Sequence, residues 1–329
     1  MTAPTAGDLI SGMRVVAVPM RVRFRGITTR EVALFEGPAG WGEFGPFPEY
    51  APAEASRWLA AAIEAAWHGW PEPVRTTVPV NATVPAVPPD QVAGVLDRFP
   101  GATTVKVKVA EPGQGVSDDV DRVAAVRDWL GPSGVIRVDA NGGWTVQQAR
   151  ATLWRLREFA LDYAEQPCAT VEELAELRTS LARNGIEVRI AADESIRKAE
   201  DPLRVRDLEA ADVIVVKVAP LGGVRAALRI VEECGLPAVV SSALDTSVGI
   251  SGGVALAAAL PELPFACGLG TVALLDGDVT TEPLLPHGGE LPVRAVTPDP
   301  ELLDRYAAPA DRHDWWASRV RECARHALM

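Results

Sequence analysis

Two lysines stand two residues apart in the segment TTVKVKVA, at Lys106 and Lys108. The β-branched residues around them predict a strand, and side chains two apart on a strand point to the same face. Two ammonium groups on one face repel each other unless an anion is bound beside them or one lysine is neutral and acts as a base. The pair therefore indicates an active site, with an exposed edge strand protected by lysines as the alternative.

Three carboxylates and a third lysine follow at the ends of later strand-like segments. They are Asp139 in RVDAN, Glu165 in YAEQP, Asp193 in AADES and Lys217 in VVKVA. Carboxylates from adjacent strands repel one another unless a cation lies between them, and an all-oxygen ligand set suits Mg²⁺, for which Mn²⁺ could substitute. Either aspartate alone could instead cap a helix, but three carboxylates on consecutive strands favour a metal site.

This combination of groups predicts proton transfer beside a carboxylate. A carboxylate substrate bound to Mg²⁺ has a more acidic α-proton, because the cation stabilises the enediolate that forms when the proton leaves. Lys106 and Lys108 on the second predicted strand and Lys217 on the sixth would flank the metal from opposite sides. A nearby lysine could then take the proton.

The elements that position these residues follow one repeated pattern from about residue 78. A β-rich run, a polar or glycine-containing turn and an amphipathic helical segment recur, and strand candidates begin near residues 78, 103, 134, 161, 187, 212, 237 and 264. Such a repeat predicts a (β/α) barrel, in which active-site residues lie at the carboxyl ends of the strands. A doubly wound open sheet would need an early glycine-rich phosphate turn, which this sequence lacks.

The chain is predicted to have three parts. Residues 1–77 combine a hairpin or meander with the helical segment AEASRWLAAAIEAAWHG and should form an α+β capping domain. Residues 78–289 should form the catalytic barrel. Residues 290–329 lack the barrel rhythm, and their Trp315 and Trp316 predict a tail that returns to pack on the cap.

Composition narrows the class of protein. The chain has 329 residues, a net charge of −12, and four cysteines without the spacing of a zinc site. The acidic balance argues against a nucleic-acid partner. No stretch approaches the ~18 apolar residues of a membrane span, and the N-terminal segment lacks the basic cluster of an export signal. We therefore expect a cytoplasmic enzyme for a small-molecule carboxylate, either a monomer or a homo-oligomer.

The ordered set of lysine pair, Asp, Glu, Asp and opposing lysine resembles the enolase superfamily, and specifically its muconate-lactonising subgroup. The segments RVDANGGW, YAEQPC, AADESI and VVKVAPLGG are most similar to those of a menaquinone-pathway dehydratase in that subgroup. The resemblance spans nearly the whole chain. It implies an α/β fold, a modified TIM barrel of (β/α)7β type, with a cap formed by the N-terminal region and the C-terminal tail.

The resemblance also implies residue roles. It assigns Mg²⁺ binding to Asp139, Glu165 and Asp193. Lys108 would be the base, Lys106 would make it easier for Lys108 to lose its proton, and Lys217 would stabilise the enediolate by its charge. In a syn dehydration one lysine could remove the α-proton and then protonate the departing hydroxyl group on the same face.

Other polar residues are weaker candidates. Asn141 and Glu194 would orient the metal ligands, although either could simply cap a turn. If the substrate carries a second carboxylate, hydroxyl or backbone donors could come from Ser241, Ser242 and Gly268. Small residues at these positions equally suit barrel packing. The cap loops at residues 25–28, which include Arg25, and 44–50 could close over the substrate and exclude water.

Two other functions stay open. N-succinylamino acid racemases and dipeptide epimerases of the same subgroup need lysines on both faces of the substrate, and this chain has both. A non-catalytic barrel that serves binding alone would have no need for the complete metal and lysine set.

Overall fold

The computed structural model describes residues 4–24, 26–197 and 202–327, which form a cap of antiparallel strands and helices and a barrel of parallel strands. The expected contribution of Arg25 lies outside the described residues. Within these ranges, no helix has the length and apolar character needed to cross a bilayer.

The cap begins the chain. Its three strands pair antiparallel in chain order, as the alternating apolar and polar residues predict. Its elements are α1 (Ala6–Ser11), β1 (Arg14–Phe24), β2 (Ile27–Gly37), β3 (Gly40–Phe44) and α2 (Pro52–Ile63). The last helix continues into one π-helical turn, Glu64–His68, and then the chain enters the short strand β4 (Thr77–Pro79).

The barrel contains seven hydrogen-bonded parallel strands in sequential order. They are β5 (Ala82–Val84), β6 (Thr104–Lys108), β7 (Val135–Asp139), β8 (Leu161–Glu165), β9 (Arg189–Ala192), β10 (Val213–Val216) and β11 (Ala238–Val240). The eighth predicted strand is reduced to two bridges, in which Cys267 pairs with Val80 and Gly268 with Ser241. These bridges close the ring, so the expected (β/α)7β barrel is confirmed. The eighth position stays short because glycines and a proline interrupt PFACGLG.

Helices surround the barrel where amphipathic segments predict them. They are α3 (Val92–Leu96), α4 (Val116–Leu130), α5 (Val146–Leu156), α6 (Val171–Arg183), α7 (Glu194–Arg197), α8 (Arg204–Asp207), α9 (Val218–Leu221), α10 (Val224–Cys234) and α11 (Ser247–Ala259). In α6, for example, Thr170 and Glu173 form a capping box and one face buries leucines against the sheet. In contrast, α11 is buried on nearly every side.

The tail returns to the cap, as expected. It consists of β12 (Glu290–Pro292), which pairs antiparallel with β4, then α12 (Pro300–Arg305) and α13 (Ala310–Ala327). Trp316 on α13 is only 1% exposed and meets the Phe44 ring edge-on, with centroids 5.6 Å apart. Its indole Nε1 donates to Glu31 Oε2 at 3.2 Å. Aromatic packing of this kind fixes the tail to the cap sheet.

Candidate active site

Strand register brings the predicted site residues to one end of the barrel. Lys108 lies opposite Asp139, and Asp139 lies opposite Glu165, in the parallel pairing of β6, β7 and β8. Glu165 in turn lies opposite Ala191 of β9. Side chains alternate along a strand, so Asp193, two residues beyond Ala191, points to the same side as the other carboxylates. The three carboxylates therefore converge inside the barrel mouth.

Each carboxylate is paired with a lysine ammonium group. Lys106 Nζ lies 2.9 and 3.0 Å from the two oxygens of Glu165, and 3.5 Å from Asp139 Oδ2. Lys108 Nζ lies 2.5 Å from Asp139 Oδ2. Lys217 Nζ lies 2.6 Å from Asp193 Oδ2. The two lysines of β6 thus face the same side, as their spacing predicts, and the third approaches from β10.

Asn141 and Glu194 connect these pairs. Asn141 accepts a hydrogen bond from Lys108 Nζ at 2.7 Å and donates to Glu194 Oε1 at 3.2 Å. Arg197 donates to Asp193 Oδ1 at 3.0 Å and to Glu194 Oε1 at 2.6 Å. Arg197 is not among the residues predicted from the sequence, although it lies four residues after Asp193, the spacing at which two helical side chains meet.

The pKa values of the carboxylates differ because their partners differ. Burial raises the pKa of Glu165 to about 7, and the charge of Asp139 adds to the effect. Burial also acts on Asp193, but the charges of Arg197 and Lys217 outweigh it and hold its pKa at about 2. Despite burial, the charge of Lys108 lowers the pKa of Asp139.

The lysines respond to the same environment. Burial alone would lower the pKa of Lys106, but the charges of Glu165 and Asp139 raise it overall. Burial lowers the pKa of Lys217, although Asp193 opposes the effect. Lys106 is therefore held as a cation. At Lys217, burial favours the neutral amine, while the one close carboxylate, Asp193, favours the ammonium form.

The chemistry of this donor set fits Mg²⁺. Its carboxylates offer oxygen donors at the ends of three adjacent strands, and Glu194 Oε2 beside them is buried without a hydrogen-bond partner among the described residues. Within the same residues, no three His, Cys, Asp or Glu side chains already surround a common point as metal ligands. The lysine nitrogens lie against the carboxylate oxygens instead, so a metal would have to displace them.

The three small residues that the sequence predicts as donors to a substrate carboxylate do not all remain available for that role. Ser241 lines the cavity of about 40 Å³ at the barrel mouth. Ser242 Oγ donates to Gly268 O at 2.9 Å, and Gly268 N donates to Val240 O at 2.8 Å. These two donors are therefore used to close the barrel, which weakens their candidacy as groups that bind a substrate carboxylate.

Two further residues that line the cavity are not among those predicted from the sequence. Thr83 lies opposite Lys106 in the strand register and lines the same cavity. Its place in the segment NATVP, on the first strand of the barrel, could have revealed it. Phe24 belongs to the cap, and its ring centroid lies 5.5 Å from Lys108 Nζ. No local sequence pattern indicates such a contact, because Phe24 and Lys108 lie far apart in the chain.

Known proteins share both parts of this architecture. The family descriptions "Enolase N-terminal domain-like" and "Enolase C-terminal domain-like" match residues 15–66 and 91–298. An o-succinylbenzoate synthase of Thermobifida fusca is 64% identical over 283 residues, covering 86% of this chain and 87% of that protein. The o-succinylbenzoate synthase of Mycobacterium leprae is 58% identical over 321 residues, covering 97% of this chain and 93% of that protein.

Solved structures agree on the fold. A muconate lactonizing enzyme from Pseudomonas putida superposes with a TM-score of 0.74 at 20% identity, covering 90% of this chain and 98% of that one. A 2-chloromuconate cycloisomerase from Rhodococcus opacus superposes with a TM-score of 0.72 at 23% identity, covering 91% and 98%. The two family descriptions and the sequence identities to the named relatives show that the chain belongs to the enolase superfamily and, within it, to the o-succinylbenzoate synthase family.

Proposed function

We propose that this chain is an o-succinylbenzoate synthase. It removes water from 2-succinyl-6-hydroxy-2,4-cyclohexadiene-1-carboxylate to give 2-succinylbenzoate, a step of menaquinone biosynthesis. The observation that carries the proposal is the lysine and carboxylate set of the barrel mouth, in a chain 57–64% identical to several proteins of this name. A reaction that starts by removing a proton beside a carboxylate needs such a set.

Asp139, Glu165 and Asp193 would hold Mg²⁺, with Asn141 and Glu194 orienting them. When bound, Mg²⁺ supplies positive charge at the substrate carboxylate and so makes the neighbouring proton more acidic. The cap residue Phe24 covers Lys108 and helps to exclude water from the site.

The charges of the site support this loading. Its four cations and four carboxylates are Lys106, Lys108, Lys217 and Arg197, and Asp139, Glu165, Asp193 and Glu194. Mg²⁺ brings two positive charges, and the proposed substrate carries two carboxylates. The loaded site is therefore neutral when Lys108 is protonated and carries one net negative charge when Lys108 is the neutral base. It stays near neutrality in both states, which a buried site requires because isolated charges are costly there.

Lys108 carries both proton transfers in the proposed reaction. Its neutral amine takes the proton from the ring carbon that bears the carboxylate, and the electron pair of that C–H bond passes into the carboxylate. As the pair returns to form the new ring double bond, the C–O bond of the hydroxyl group breaks. The Lys108 ammonium group gives its proton to the departing hydroxide, so that water leaves and the ring becomes aromatic.

Lys217 acts as a fixed charge on the other side of the substrate. Its strand, β10, lies four positions from β6 in a ring of eight, so the two lysines face each other across the barrel. An elimination in which proton and hydroxide leave from one face needs a proton carrier on that face only. Lys217 can therefore stabilise the negative charge that builds up on the substrate carboxylate without transferring a proton.

The same opposed lysines favour a second candidate. N-succinylamino acid racemisation or dipeptide epimerisation moves a proton from one face of the α-carbon to the other, and Lys108 and Lys217 would serve the two faces. The alternative requires Lys217 to give up and accept a proton, whereas dehydration does not.

Purified chain with saturating Mg²⁺ tests both functions. We expect fast loss of the cyclohexadiene absorbance with formation of 2-succinylbenzoate, and loss of this activity on exhaustive chelation. An N-succinylamino acid enantiomer is offered in parallel in D₂O, and its racemisation and α-proton exchange are followed. Rapid racemisation with negligible dehydration would overturn the assignment in favour of the racemase.

A further inference from the structure

One barrel helix takes its N-terminal cap from the cap domain. Helix α10 begins after Gly223 and has no side-chain cap from its own N-terminal residues. Glu64, in the π-helical turn of the cap, accepts from the backbone N–H of Val224 at 2.5 Å and of Arg225 at 3.2 Å. The Arg225 guanidinium also donates to Glu64, at 2.8 Å. The first N–H groups of a helix have no acceptors within the helix, and another domain supplies two of them here.

Close approach of this glutamate depends on Gly223. A Cβ at that position would lie 2.0 Å from Glu64 Oε2. The backbone φ of Gly223 is +124°, a value that residues other than glycine rarely adopt. Glu64 lies in a π-helical turn, which is an uncommon element that often occurs at functional sites. Both partners are thus specialised for one contact.

A second cap glutamate accepts hydrogen bonds at the start of the next barrel helix, α11, although that helix also has a cap of its own in the Thr246 side chain. Glu43 on β3 is 7% exposed and accepts from Thr246 N at 3.2 Å and from Gly249 N at 3.1 Å, at the start of α11. It also accepts from the Thr246 hydroxyl group. A Cβ on Gly249 would lie 2.9 Å from Glu43 Cδ, so a glycine again makes room for the carboxylate.

Both helices follow strands that end in the site. Only α9 and a pair of glycines separate Lys217 from α10. Residues 242–246 separate Ser241 from α11, and the cap also contacts this segment, since Arg30 Nε donates to Leu244 O at 2.9 Å. The two capping contacts therefore hold the backbone that directly follows two residues of the site.

We propose that Glu64 and Glu43 are positioning residues for the dehydration, which fix the ends of the sixth and seventh barrel strands to the cap. The inference rests on the proposed function. When either contact is lost, the start of its helix can shift relative to the cap, and Lys217 or Ser241 shifts with it. Small displacements of the charged or polar groups that surround the transition state reduce the rate of the chemical step more than they weaken substrate binding.

The test compares variants of each glutamate at a temperature well below the unfolding midpoint of every protein. The variants are Glu64→Ala, Glu64→Gln, Glu43→Ala and Glu43→Gln, with Glu36→Gln as the control. Glu36 is an exposed glutamate on β2 of the same cap. With saturating Mg²⁺ we expect kcat to fall about tenfold in the alanine variants, while KM changes less than about twofold.

The glutamine variants should fall between the alanine variants and the unsubstituted chain, because an amide oxygen still accepts one N–H. The control should match the unsubstituted chain. An unchanged kcat in Glu64→Ala and Glu43→Ala, or a rise in KM alone, would overturn the inference. Should an alanine variant fail to fold, the matching glutamine variant decides in the same terms.

Failure of the proposed function is seen separately. It shows as absence of dehydration in the unsubstituted chain itself. In that case the same variants are compared in the exchange of an N-succinylamino acid α-proton, which needs the same lysines. A tenfold loss of exchange rate in the alanine variants would keep the positioning role, and an unchanged rate would reject it.

Discussion

At the scale of single residues, two lysines on one strand have different surroundings although they share a face. Lys106 is buried and bridges Glu165 and Asp139. Lys108 is nearer the mouth, contacts Asp139 and Asn141, and lies beneath the ring of Phe24. Because Lys106 is held as a cation among the proposed metal ligands, we expect Lys108 to be the member of the pair that exchanges protons with a substrate.

Substitution of the lysines tests this difference. Lys108→Ala should lower kcat for dehydration by about 10³-fold or more, since removal of a general base usually costs 10²–10⁴-fold. Lys217→Arg keeps a positive charge opposite it and should retain measurable dehydration. Steady-state kinetics with 2-succinylbenzoate formation as the readout checks both. Equal losses in the two variants would show that both lysines transfer protons.

Glu165→Gln should abolish activity and leave the fold intact. The substitution keeps the shape of the side chain. It replaces a carboxyl group, whose pKa burial raises to about 7, with an amide that cannot ionise. Lys106 retains Asp139 as a partner at 3.5 Å, so we expect a small change in unfolding temperature, of a few degrees. Mg²⁺ titration by calorimetry should show weaker binding. Full activity in this variant would remove Glu165 from the metal ligands.

At the scale of elements, the sequence predicts those features that depend on neighbouring residues in the chain. The valine-rich runs and the strand-end residues Asp139, Glu165 and Asp193 follow from alternation and turn chemistry, so their place at the barrel mouth could be predicted. The contacts of Phe24 and Glu64 could not. They join segments far apart in the chain, and they depend on how the cap sits on the barrel, which no periodicity encodes.

Helix α13 offers a test of the contact between tail and cap. Trp316→Ala removes a buried ring that packs on Phe44 and a donor to Glu31. We expect a loss of about 3–5 kcal/mol in the free energy of unfolding, as for other large buried aromatic residues. The matched control is Trp154→Ala on α5, where the ring is 48% exposed. Chemical denaturation of both variants should separate them, and similar midpoints would contradict the role assigned to the tail.

At the scale of the whole molecule, the interface between cap and barrel makes stability depend on pH. Burial raises the pKa of Glu43 to about 8, and the nearby charge of Asp245 adds to this, while Arg30 opposes it. A carboxyl group whose pKa is raised on folding binds its proton more tightly in the folded chain. Its contribution to stability is complete below the ordinary glutamate pKa of 4.5 and is lost as pH rises through about 8.

Between about pH 5 and 8 the free energy of unfolding should therefore fall, with Glu43 contributing at most about 1.4 kcal/mol per pH unit. Glu165, whose pKa burial raises to about 7, adds to this slope, whereas Asp139 and Asp193, whose pKa values are lowered, act in a more acidic range and do not cancel it. Glu43→Gln imitates the neutral carboxyl group, so its stability should vary less with pH than that of the unsubstituted chain, while Glu36→Gln should behave like the unsubstituted chain. Urea unfolding at several pH values, with chelator present throughout, measures the slopes. If the slope of Glu43→Gln equals that of the unsubstituted chain, Glu43 is ionised in the folded chain across this range and does not hold a proton beside Asp245.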